Sequence, residues 1–403
     1  MKRAATDELY DRVAAVWRAG GRTPGTIYQY MIWVRRFRGR LADRGDVDGE
    51  MLTRDRVDAF AAAYVTSRRC NAFHARSGAR NALRAWSCAV HTLGFDVPPW
   101  ICPAPPPPQP PMFASFMAYR LKHGGVAQTT AKTEAFYASE FVAFLRKRGR
   151  RPDSIRIVDI DAFVAACCSR MTRKTVAGIC SGLRAFLRFR FATGQLRYDL
   201  ASSVVSPRVR SLDRPPRALP WRDVQCLLRA IDRRSAIGRR DYAMLLTMAT
   251  YGMGAGEVLG LRIDDVDWEA RTLRVRRPKT DAAIVLPLLD AVARALAEYL
   301  RRGRPVHAVA REIFVTYGMP FRRLSAAGAI RHRLVKYAAA AGLTPVFIGS
   351  HVLRHSHACR QIESGAPPKV LSDILGHRRP SSTSAYVRVA TEKLRRMALP
   401  VPT

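Results

Sequence analysis

Residues 350–386 read SHVLRHSHACRQIESGAPPKVLSDILGHRRPSSTSAY. Helical segments are legible over 350–364, 368–375 and 382–390, the second of them ending at Gly376. On a helix that begins near Ser350, His351 and Arg354 share a face, so an imidazole and a guanidinium reach one anion together. Arg354 offers a planar fork of donors that matches the nonbridging oxygens of a phosphate and stays charged at every relevant pH. Gly376 suits a left-handed helix end, which aims His377 away from the helix axis as a further donor. Tyr386 follows nine residues later. A phenol with a pKa of about 10 is a poor nucleophile unless cations favour its phenolate, and Arg354 with the two histidines supplies that setting. The i, i+4 pair His351 and His355 has the spacing of a zinc helix, but Val352 stands where such a helix needs Glu, so no metal site is expected.

Upstream, Leu273 and Val275 alternate, as do Ile284, Leu286 and Leu288, with Lys279-Thr280-Asp281 between them. This pattern predicts a β-hairpin with Lys279 near its turn. Helix resumes after it, including 331–341.

Two proline-rich stretches, VPPWICPAPPPPQPP at 97–111 and SPRVRSLDRPPRALP at 206–220, break helical continuity and divide the chain into three parts. The first two parts repeat one another. Phe37, Leu41, Arg44 and Gly45 match Phe141, Leu145, Arg148 and Gly149. Asp58-Ala59-Phe60 matches Asp161-Ala162-Phe163, and Leu83-Arg84-Ala85-Trp86 matches Leu183-Arg184-Ala185-Phe186. The offset drifts only by loop-sized steps. Each copy reads as a small helical unit. In the first, Thr23-Pro24 opens a helix with an apolar face of Ile27, Tyr30, Met31, Val34, Phe37 and Leu41.

The 403-residue chain carries 68 Lys plus Arg against 32 Asp plus Glu, a formal net charge of +36, and is 48% hydrophobic. That content excludes a disordered polyelectrolyte, and the charge points to a polyanionic partner, nucleic acid before a ribosomal or membrane surface. Eight cysteines without a CxxC pair read as reduced core thiols. With no apolar segment of signal or membrane-spanning length, the expectation is a soluble, unexported protein with no membrane partner.

The His351-x-x-Arg354 box, the Leu375-Gly376-His377 box and Tyr386, in this order and spacing, resemble the active site of the tyrosine recombinase, or phage integrase, family. The resemblance extends over the whole third part, and the second copy resembles the family's helical core-binding domain. It implies a multidomain, mainly α fold: SAM-like helical core-binding domains, the first copy being an added arm or a duplicated core-binding unit, plus an α+β catalytic domain with a small antiparallel sheet. The implied boundaries are a helical DNA-binding domain at 1–97, a linker at 98–111, a core-binding domain at 112–205, a linker at 206–220 and a catalytic domain at 221–403. Tyr386 is then the nucleophile that joins a DNA 3′-phosphate, assisted by Arg354, His351 and His377, and Lys279 is the general acid for the leaving hydroxyl. No cofactor is implied. The partners are double-stranded DNA, further copies of the chain as a tetramer on paired sites, and sister recombinases. The setting is the cytoplasm of a bacterium, at the nucleoid. The tail at 391–400 is similar to a short helix that docks on a neighbouring protomer.

One departure stands out. Tyr251-Gly252-Met253-Gly254-Ala255-Gly256-Glu257-Val258-Leu259-Gly260-Leu261 resembles the family's first box, Gly-x-Arg-x-x-Glu-x-x-x-Leu, with Gly254 in the place of the catalytic arginine. Three readings stay open: a recombinase with a stand-in cation, an impaired DNA-binding accessory of active recombinases, and a deliberately disabled variant. A type IB topoisomerase, which uses similar chemistry without site specificity, is a further alternative.

Overall fold

The structure, a computed structural model, describes residues 2–42, 52–68, 70–95, 110–209, 217–277, 282–318, 321–324, 327–345, 347–376 and 386. Residues 104–214 form one compact unit, and Met1–Pro103 with Pro215–Thr403 form another.

In the larger unit the first helical copy comprises α1 (Lys2–Ala19), α2 (Pro24–Ala42), α3 (Arg54–Arg68) and α4 (Ala72–Thr92). The smaller unit repeats this order with α5 (Pro111–Gly124), α6 (Gln128–Lys147), α7 (Ile157–Cys168) and α8 (Arg173–Ala192). The duplication goes beyond helix order. Left-handed glycines follow the first helix in both copies (Gly21, Gly125) and the last helix in both (Gly94, Gly194). Asn71 caps α4 by accepting from the His74 amide, and Thr172 caps α8 by accepting from the Thr175 amide. An aromatic on each second helix lies over a glycine of each fourth helix. A Cβ at Gly78 would come within 2.7 Å of Trp33, and one at Gly182 within 3.1 Å of Tyr137. Small residues at those crossings let the helix axes approach. The expected apolar face of α2 is the buried one: Ile27, Val34 and Phe37 enter the core with Tyr30 and Met31 packed beside them.

The first copy does not stand apart from the C-terminal region. Phe321 belongs to its core, and Phe321 and Tyr317 press on the glycine pair that ends α1, leaving no room for a Cβ at Gly20 or Gly21. Nothing in the local periodicity announces this contact, which joins residues some three hundred positions apart.

The C-terminal region runs α9 (Trp221–Arg229), α10 (Ala236–Tyr251), α11 (Ala255–Leu259), β1 (Val266–Asp267), β2 (Thr272–Arg277), β3 (Ala282–Pro287), α12 (Asp290–Arg302), α13 (Ala327–Ala340), α14 (Val352–Glu363) and α15 (Pro368–Leu375). The three strands form an antiparallel sheet in sequence order. Alternation sets their register: Leu273 faces Leu286 and Val275 faces Ile284, and Leu273 and Val275 point into the core. The last pair is Arg277 with Ala282, so the hairpin is present as the alternation predicts, while 278–281, with Lys279, lie outside the described residues. Also outside them are His377, Cys102 and the tail at 391–400. Three described cysteines are buried, but Cys70 and Cys168 are exposed, because both sit at helix ends rather than on core faces.

Candidate functional site

The site gathers where α10 ends, α11 begins and α14 and α15 cross. α14 starts two residues later than its sequence suggests. His351 caps it with a non-helical backbone (φ −103°, ψ 2°) and accepts the His355 amide through its carbonyl. His351 is exposed and Arg354 half-buried. Arg354 is held from three sides. Its Nη1 donates to the carbonyl of Gly252 (3.1 Å) and to Glu257 Oε2 (3.0 Å), and its Nη2 donates to the carbonyl of Leu375. Those two carbonyls terminate α10 and α15, where the helix dipole favours a cation.

Glu257 binds both sides of this arrangement. The same Oε2 that pairs with Arg354 accepts the Gly254 amide at 2.6 Å and so caps the short α11. Gly254 itself is extended (φ −74°, ψ 160°). A Cβ there would lie 3.4 Å from Glu257 Oε2, 3.6 Å from His351 Cε1 and 3.8 Å from Arg354 Nη1. Position 254 therefore opens directly onto His351 and Arg354, with ordinary contact distances and no backbone demand for glycine. Gly252, two residues earlier, is its opposite. Its φ is +63°, and a Cβ would meet His357 at 2.6 Å and Leu375 at 2.8 Å. His357 is a core residue: its Nδ1 lies 3.0 Å from the Ala249 carbonyl, and burial depresses its pKa.

Tyr386 is only 4% exposed and packs with Ala358, Ile362, Leu371 and Leu375, with Cys359 beside them. Its hydroxyl lies 2.9 Å from His355 Nδ1. Burial raises its pKa, Arg354 opposes this through its charge, and Cys359 adds to the rise. The phenol is thus protonated at neutral pH, and Arg354 alone does not make it a phenolate. The structure brings His351, Arg354, Gly254 and Tyr386 into one region. Sequence reasoning passed over two residues here, Glu257 as the shared acceptor and His355 as the partner of Tyr386. The spacing of Glu257 three residues after Gly254 was a legible capping signal, whereas nothing local marks His355.

The sequence profile of the phage integrase family matches residues 217–393. An integrase/recombinase of Sinorhizobium fredii, y4gC, is 41% identical over 166 residues, covering 41% of this chain and 84% of that protein. The chain belongs to the phage integrase family. A second integrase/recombinase from that organism, y4rA, is 36% identical over 251 residues, 62% of this chain and 60% of the relative, so this chain spans less than two thirds of it. The fold of this integrase-family chain is also that of the XerH site-specific recombinase, solved bound to a palindromic difH substrate in a post-cleavage complex. The TM-score is 0.56 at 15% identity, over 87% of this chain and 98% of that one. Among the described residues no helix is long and apolar enough to cross a membrane.

In this chain the end of β2 is tied to the end of α15. Arg277 Nη2 donates to the carbonyls of Asp373 (3.1 Å) and Ile374 (2.5 Å), and its guanidinium lies over Gly376, whose φ is +67°. Gly376→Ala meets two penalties, the left-handed backbone and an overlap with Arg277. We expect it to cost about 1–2 kcal/mol for the backbone alone, plus the displacement of Arg277. The urea midpoint of Gly376→Ala should therefore fall further in the native background than in an Arg277→Ala background, and equal shifts in both would show that Arg277 does not contact residue 376.

Proposed function

We propose that this chain is a site-specific DNA recombinase of the integrase or transposase kind that forms a 3′-phosphotyrosyl intermediate through Tyr386. The observation that supports it most is the convergence of position 254 and Glu257, from α11, with His351 and Arg354 on α14, the helix that also meets the Tyr386 hydroxyl. Arg354 and His351 are donors for the nonbridging oxygens of a phosphate, held in place before DNA arrives. In the reaction Tyr386 Oη bonds to phosphorus and loses its proton, and the bond from phosphorus to the 5′-oxygen breaks. That oxygen takes a proton from Lys279, and His377 adds a donor to the phosphate. Rejoining is the reverse, so no nucleotide cofactor is consumed. The +36 charge and the duplicated helical units fit a clamp on double-stranded DNA that binds mainly through phosphates. The domain boundaries at 98–111 and 206–220, assembly of four copies on paired sites in a bacterial nucleoid, and work beside sister recombinases belong to the same proposal.

Gly254 supports a second reading, an accessory DNA-binding recombinase whose cleavage is impaired, since no side chain at 254 supplies a cation to the opening beside His351 and Arg354. One experiment separates the two. On a nicked suicide DNA substrate the recombinase reading expects a covalent protein–DNA adduct that Tyr386→Phe abolishes. DNA binding without any adduct at high protein concentration would leave the accessory reading. Relaxation of plasmids lacking any preferred site would indicate a topoisomerase instead.

A further inference from the structure

Tyr386 cannot bond to phosphorus without giving up its proton, and its apolar surroundings hold that proton in place. Among the described residues a group positioned to take it is His355, whose Nδ1 is 2.9 Å from the hydroxyl with the two rings 5.7 Å apart. We propose that His355 is the general base of this chain, its neutral imidazole accepting the Tyr386 proton at Nδ1 as the bond from Oη to phosphorus forms. The proposal rests on the reading of Tyr386 as nucleophile.

The charges balance. A neutral phenol and a neutral imidazole become a phosphate ester and an imidazolium, while the departing 5′-oxygen is protonated separately. The new imidazolium then stands beside the phosphate in a site where position 254 brings no cation. When the phosphotyrosyl bond is broken again, the same imidazolium returns its proton to the departing Tyr386 oxygen. His355 thus serves both directions, as base and then as acid.

The groups around His355 allow it to cycle. On α14 its ring faces His351, 6.4 Å away between centroids, and follows Arg354. Cys359 borders the same cluster and is held as a thiol, its pKa pushed up to about 11 by burial. From α15 the residues packed there are Leu371 and Leu375, and the charged pair of that helix, Lys369 with Asp373, is turned to solvent.

The test is single-turnover adduct formation by the full chain on a suicide substrate between pH 6 and 9. With His355 as base, the rate rises with pH until the imidazole is neutral and then levels. His355→Gln should be ~10²- to 10⁴-fold slower and should keep climbing through pH 9, because only the rare phenolate then attacks. Added imidazole should restore His355→Ala at least in part, which a residue that only packs against the ring would not permit. An unchanged plateau in His355→Gln, with no rescue by imidazole, would overturn the proposal and leave Tyr386 as nucleophile. If the native chain and Gly254→Arg both form no more adduct than Tyr386→Phe, the nucleophile reading fails and the base falls with it.

Discussion

Gly254→Arg should accelerate adduct formation on a suicide substrate by ~10²- to 10³-fold, the usual worth of one preorganised donor to a transition-state oxyanion. The backbone permits the change. Residue 254 is extended at φ −74°, and the atoms a Cβ would meet lie at 3.4–3.8 Å, an ordinary contact. The side chain would leave the backbone beside His351 Cε1 and Arg354 Nη1, so its guanidinium would enter the space those two groups already border. Arg354 would repel it, but Glu257 lies between them with one oxygen bonded to both the Gly254 amide and Arg354. That carboxylate offsets the added charge. Gly252→Ala serves as the contrasting control. It should lower folding stability without raising the rate, since its φ is +63° and its Cβ would strike His357. A native-like rate for Gly254→Arg, in a chain whose own adduct depends on Tyr386, would mean that another cation already fills this space.

The sequence was most informative where a local rule fixes the backbone. Pro24 after Thr23 opens α2, the alternation of Leu273, Val275, Ile284 and Leu286 fixes the hairpin register, and Gly376 ends α15 in the left-handed region. Repeated motifs also carried across, because two copies of one helical unit need the same core positions, and Phe37, Phe60, Leu83 and Trp86 are buried as are Phe141, Phe163, Leu183 and Phe186. The site was less legible. His351 and Arg354 could be paired from helical spacing, but the three-way hold on Arg354 depends on carbonyls from two other helices, which no periodicity reports. His355 lies one helical turn after His351 and reads as one more residue of that face. Only the return of Tyr386 to α14, 31 positions later, gives it a partner. The burial of Tyr386 was hidden for the same reason, since its apolar neighbours come from α14 and α15 together. The docking of the first helical copy on Phe321 has no local signature at all.

Asp241→Ala should be the most destabilising single change within the C-terminal region, at about 3–5 kcal/mol, because it strands a buried charge. Asp241 and Arg240 are 2% and 3% exposed. Asp241 Oδ1 accepts from Arg240 Nε and Nη2 at 2.9 and 2.8 Å and from Arg333 Nε at 2.7 Å, and Oδ2 accepts from the Tyr337 hydroxyl at 2.9 Å. Arg240 also donates to the Val315 carbonyl and lies over the Tyr317 ring. Removing the carboxylate leaves two guanidinium groups close together, one of them with no access to water. The loss should appear as a large fall in the urea midpoint of the full chain. An exposed pair gives the scale for comparison: Asp264→Ala, opposite Arg311, should leave the urea midpoint nearly unchanged. If the penalty arises from the stranded charge rather than lost packing, the double change Arg240→Met with Asp241→Leu should recover most of it. A double variant as unstable as Asp241→Ala would refute that origin. The consequence reaches the site, because Asp241 ties α10 to Arg333 and Tyr337 on α13. It is the carbonyl of Gly252, at the end of α10, that holds Arg354 beside position 254. At urea concentrations below the transition, Asp241→Ala should therefore lose strand cleavage before it loses its helical signal.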